Sequence, residues 1–113
     1  TVFSRDKSGA LTKNSTISLT FGVDNIEMDS ESGVLTMGTI PVGYKALMRM
    51  KGHDVPVPGG VTVARKDASG QWAVEELMTH DGTVLSMIAS GVVWGSKVML
   101  GSPFSNGVLV CNL

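Results

Sequence analysis

Asp24 and Asn25 stand side by side between the branched apolar residues Val23 and Ile26. The pair brings a carboxylate and a neutral amide carbonyl to a point where a β-strand is expected to begin. Both are hard oxygen donors, the kind calcium takes in sets of about six to eight at about 2.3–2.6 Å. The same side chains can also cap a turn or open a strand by bonding the local backbone. On the residues alone, a metal site and a turn are both open.

The other reactive side chains are scattered. His53 lies in a proline-containing loop and His80 beside a turn, and both are expected at the surface. Neither has a serine, cysteine or carboxylate at the spacing of a triad or metal cluster. Glu75-Glu76 reads as a solvated strand face, and Asp67 and Asp81 as turn residues. Cys111 is the single cysteine, so it has no partner within the chain. It is either a buried free thiol or one half of a bridge to a cysteine elsewhere. Asn14-Ser15-Thr16 is an N-glycosylation sequon, and Lys13 with its polar neighbours fits an exposed loop or strand end.

Strand patterns must carry these groups. Ile17, Leu19 and Phe21 alternate with Ser18, Thr20 and Gly22, the period of a half-buried strand. Further strands are expected at Asn25–Met28, Val34–Ile40, Val61–Arg65, Ser86–Val93, Lys97–Leu100 and Gly107–Cys111. Asp29 to Gly33, Asp67 to Gly70, Asp81-Gly82, Trp94 to Ser96 and Ser105 to Gly107 read as hairpin connections. Tyr44–Met50 and Trp72–Thr79 contain good helix formers, yet neither shows an N-cap with long helical spacing, and both are read as strands. Gly52 to Gly60, with Pro56 and Pro58, is the longest irregular piece.

Bulk properties narrow the classes. A chain of 113 residues fits one modest domain or a piece of a larger one. At 42% hydrophobic and 17% charged residues it is too apolar for a disordered polymer. Net charge is −1 and no Lys/Arg cluster forms a stripe, which argues against nucleic-acid binding. No apolar run approaches the roughly 20 residues of a membrane-spanning helix. The chain begins at Thr1 without a visible targeting segment and reads as a processed chain or a fragment.

Short strands with glycine-rich turns imply an all-β sandwich, barrel or propeller. Residues 29–38 and 90–101 echo each other at an offset of roughly 60 residues, a spacing compatible with propeller blades. Val23-Asp24-Asn25-Ile26-Glu27-Met28-Asp29, then Gly33-Val34-Leu35-Thr36-Met37-Gly38, Pro41 and Gly43, resemble the late blades of the paraoxonase/arylesterase family. Asp81-Gly82-Thr83-Val84-Leu85, Gly95-Ser96-Lys97-Val98-Met99-Leu100-Gly101 and the closing Cys111-Asn112-Leu113 are similar to its carboxyl terminus.

That resemblance implies a calcium-containing six-bladed β-propeller that hydrolyses lactones and aryl esters. This chain would be its C-terminal portion, about the last two blades. Residues 1–22 would be outer strands of one blade, 23–82 one blade, and 83–113 an incomplete closing blade. Asp24 and Asn25 match ligands of the catalytic Ca2+. Phe104 and Ile40 would border the substrate pocket, and Cys111 would pair with a cysteine near the missing N-terminus.

No catalytic proton-transfer residue is implied within the segment, which alone would be inactive. Its partners would be a small ester or lactone and the remaining N-terminal blades. With Asn14 as a glycosylation site, the parent would be extracellular or lumenal, with membrane association left to the missing N-terminus. The chain departs from the animal paraoxonases where Thr39-Ile40-Pro41-Val42 replaces a Cys-His-Pro-Asn run. A non-catalytic propeller serving as a binding or assembly module is therefore the alternative. A gluconolactonase-type hydrolase with a different acidic ligand set is a third.

Overall fold

The computed structural model describes residues 1–113, all of the chain. It is all-β apart from one short helix. The elements are β1 (Val2–Arg5), β2 (Leu11–Ser15), β3 (Gly22–Met28), β4 (Leu35–Ile40), α1 (Gly43–Met50), β5 (Gly59–Lys66), β6 (Trp72–His80), β7 (Ser90–Trp94), β8 (Lys97–Gly101) and β9 (Val108–Asn112). They form three antiparallel sheets ordered β1-β2, β3-β4-β5-β6 and β7-β8-β9. Successive up-and-down sheets of this kind are consistent with part of a propeller, and the chain does not close a ring on its own.

Side-chain alternation explains the packing. In β8, Val98 and Leu100 are buried while Lys97 and Met99 face out, as the two-residue strand period requires. β5 is different: Gly59 to Ala64 are all buried, because β4 and β6 flank it and the third sheet lies against it. The main core joins Val61 of β5 to Val98 and Leu100 of β8 through Leu85 and Ile88. A smaller cluster of Ala46, Val57 and Met87 sits under α1, with Ile40 and Val55 against it.

Four expectations need correction. Tyr44–Met50 is helical, not a strand. Ala46 turns inward onto Val57 and Met87, and tertiary contact stabilises a helix too short to persist alone. The helix ends before Gly52, which takes φ +89° while the N–H groups of Gly52 and His53 donate to the Arg49 and Met48 carbonyls.

The Ile17–Phe21 alternation appears in burial but not in pairing. Ile17 and Leu19 are half-buried between exposed neighbours, and no ladder forms over 16–21. Ser86–Val93 is a strand only from Ser90. Met87 sits at φ +57°, a left-handed conformation that side-chain-bearing residues seldom adopt and that interrupts an extended run. Lastly, Asp81-Gly82 is a turn but not a hairpin, since it leads from β6 to a strand of another sheet.

Candidate functional site

Adjacent residues in a regular strand point to opposite faces. Asp24 and Asn25 escape that constraint. β3 pairs with β4 as Val23↔Thr39 and then Ile26↔Met37. Two residues, Asp24 and Asn25, thus stand opposite the single residue Gly38. This is a β-bulge, which breaks the alternation and re-aims a side chain. Both residues are exposed. Asp24 is also in neither of the chain's Arg–carboxylate pairs, which join Arg49 to Asp54 and Arg65 to Glu75.

The bulge is held by its backbone. The Asn25 N–H donates to the Ala89 carbonyl at 2.9 Å, and the Ala89 N–H donates to the Gly101 carbonyl at 2.9 Å. Ala89 thereby ties β3 to the third sheet. The segment leading to it is anchored further back: Met87 N–H reaches the Val57 carbonyl at 3.0 Å. The Val57 N–H in turn donates to the buried Ser86 hydroxyl at 3.0 Å, and the Ser86 N–H to the Ser105 hydroxyl at 3.2 Å. The Ser102 hydroxyl donates to the Ser86 carbonyl.

The remaining predicted residues are dispersed. Ile40 ends β4 and packs against the Ala46, Val57 and Met87 cluster. Phe104 is 38% exposed, its carbonyl accepting from Arg49 Nη2 at 3.5 Å and its N–H donating to Ser102 Oγ at 3.0 Å. Cys111 is a half-buried free thiol in β9, opposite Val98. Asn14 is exposed near the end of β2. The next residue, Ser15, accepts a hydrogen bond from Trp72 Nε1 at 3.0 Å.

His53 is exposed as expected. His80 is not a free surface group: its side chain is 17% exposed, and Nδ1 accepts the Gly82 N–H at 2.9 Å. Arg49, Gly38 and Ala89 were not singled out from the sequence. Gly38 lay within the motif, but only the bulge reveals what it faces.

Four aspartates do have altered proton affinity, and all four organise turns. Asp6, Asp29, Asp67 and Asp81 are held below the ordinary carboxylate range, chiefly by hydrogen bonds from the hydroxyls of Ser8, Ser32, Ser69 and Thr83. Backbone N–H groups add to the effect. Each is solvent-exposed.

The Arylesterase family model matches residues 1–113, the whole chain. The chain belongs to the arylesterase family. No curated protein matches it. Membership makes this a chain of a hydrolase family of the paraoxonase type. Within this arylesterase-family chain no three His, Cys, Asp or Glu side chains converge as a metal cluster. Asp24 and Asn25 fit a share of a calcium shell: two hard oxygens, exposed, on a rigidly held bulge. No helix is long and apolar enough to cross a membrane.

Proposed function

We propose that this chain is the C-terminal part of a calcium-dependent hydrolase of lactones and aryl esters, built on a six-bladed β-propeller. The observation that carries this reading is the bulge that presents Asp24 and Asn25 in an arylesterase-family chain. Those two residues would hold part of the calcium, with the other ligands supplied by upstream blades. When bound, the metal would polarise the carbonyl and stabilise negative charge on its oxygen. The charged Asp24 carboxylate and the neutral Asn25 carbonyl would anchor it, while Phe104 and Ile40 would give the pocket an apolar border.

Proton transfer would fall to residues outside this chain. His53 lies in an exposed loop, and His80 already uses Nδ1 to hold the Gly82 N–H. The β1-β2 pair would be outer strands of one blade, β3 to β6 a whole blade, and β7 to β9 a closing blade awaiting a strand.

Exposed Asn14 and the unpaired Cys111 support a secreted, glycosylated parent with a disulfide to its N-terminal region. A mass decrease on enzymatic deglycosylation, absent in Asn14→Gln, checks the sugar. An unchanged mass in the secreted protein rejects it.

The deciding experiment uses the complete protein that carries this chain. The Asp24→Ala/Asn25→Ala variant should lose more than about 100-fold in calcium affinity, beyond what loss of an outer-shell partner costs, and should lose hydrolysis of aryl acetates and lactones. Retention of both affinity and hydrolysis sinks the assignment. One observation favours a non-catalytic propeller: Thr39-Ile40-Pro41-Val42 brings no thiol, imidazole or other titratable side chain. Tight calcium binding with no turnover across an ester and lactone panel would select that reading.

A further inference from the structure

Gly38 is the one β4 residue opposite both Asp24 and Asn25. A Cβ at that position would lie 2.5 Å from both the carbonyl carbon and the oxygen of Ala89, and 2.7 Å from the Ser90 nitrogen. These are backbone atoms, so no rotamer change relieves the clash. The Ala89 peptide must move if position 38 carries a side chain. That same carbonyl accepts the Asn25 N–H, and the same residue's N–H bonds to Gly101. The space above Gly38 is thus the space in which the bulge is fastened.

We infer that Gly38 is a positioning residue for the Asp24–Asn25 pair. Its missing side chain lets the Ala89 peptide seat against β4 and hold the Asn25 backbone, which fixes the bulge and the direction of its two oxygen donors. Outer groups that orient ligands set metal affinity as well as geometry. A glycine kept only for packing would affect stability alone. The inference rests on the calcium reading proposed above, but it concerns a residue that supplies no ligand.

The test measures calcium affinity by titration calorimetry, and metal-free thermal midpoints in chelator, on the complete protein. Gly38→Ala should weaken calcium binding by about 10-fold or more. Gly60→Ala is the comparison, because its Cβ would meet the Met78 carbonyl at 2.5 Å and the rotatable Thr39 hydroxyl at 3.1 Å, with the Ala89 peptide not among its nearest neighbours. It should lower the metal-free midpoint while leaving affinity unchanged.

Ala89→Gly adds no atoms; it removes one buried methyl and frees the holding peptide. It should weaken binding by about 2- to 5-fold, and it decides the matter if Gly38→Ala does not fold. Wild-type affinity in Ala89→Gly and in any folded Gly38→Ala, with affinity lost in Asp24→Ala, overturns the positioning role and leaves the calcium reading intact. Wild-type affinity in Asp24→Ala as well removes the calcium reading, and the positioning role with it.

Discussion

The β3–β4 and β7–β8 hairpins open their respective sheets and differ in what they give up. β7 pairs with β8 without interruption, from Ser90↔Gly101 to Trp94↔Lys97. Val98 and Leu100 point from it into the main core. β3 pairs with β4 through the bulge, and every β3 residue except the half-buried Val23 is exposed. The first hairpin also carries Asp24, Glu27, Asp29 and Glu31 with no basic residue, whereas the second has Lys97 alone. One hairpin is regular and spends its side chains on burial. In the other, β3 gives up register and burial to present oxygen donors while β4 stays buried from Thr36 to Thr39, and Ala89 ties the bulge to β8.

Deleting a buried anchor from each hairpin gives the largest expected contrast. Leu100 in β8 is 1% exposed, as is Met37 in β4. Replacing either with alanine removes contacts and leaves a cavity, a loss of about 2–5 kcal/mol. Leu100 belongs to the joint core with Val61, Ile88 and Val98, so its loss should fall near the upper end. The thioether of Met37 is flexible and its surroundings adjust more easily, which places Met37→Ala near the lower end. Urea unfolding of the complete protein measures both. A larger loss for Met37→Ala would mean that the bulged hairpin, not the regular one, is the structural anchor.

The same contrast governs what the sequence revealed. The regular hairpin was legible because Val98 and Leu100 alternate with polar or exposed neighbours and Gly95 marks the turn. β6 was legible too, since Trp72 to His80 follows a hairpin turn made by Asp67 and Ser69. Asp24-Asn25 was legible as a donor pair, but its bulge was not, because a register shift depends on the partner strand and on Ala89. Likewise α1 depends on Ala46 finding Val57 and Met87. The Ile17–Phe21 alternation forecast the shelter of Ile17 and Leu19 but not the exposure of Phe21. Its failure as a strand reflects the lack of a neighbouring strand within the chain, which no local pattern encodes.

The smallest predicted effect separates the two turns by pH. In the first hairpin Asp29 accepts the Ser32 hydroxyl at 2.5 Å and the Glu31 N–H at 3.0 Å. The Ser32 bond is the main cause of its lowered proton affinity. A carboxyl depressed in the folded state stabilises the turn fully above its unfolded value, about 3.9. That contribution is lost as pH falls through the lower folded value. The turn of the second hairpin, Trp94 to Lys97, contains no carboxylate.

Hydrogen exchange corrected for intrinsic rates should therefore show protection over 29–34 declining below about pH 4, with 94–97 unchanged. Glu31 is a second carboxylate in the same turn, so Asp29→Asn isolates the cause. Asparagine keeps an acceptor oxygen but has no proton to gain, and the acid response of the first turn should flatten. Because Asp29 is fully exposed, solvent screens its contribution and the response should be slight. Parallel loss in both turns would instead point to global acid unfolding, and a surviving response in Asp29→Asn would shift the cause to Glu31.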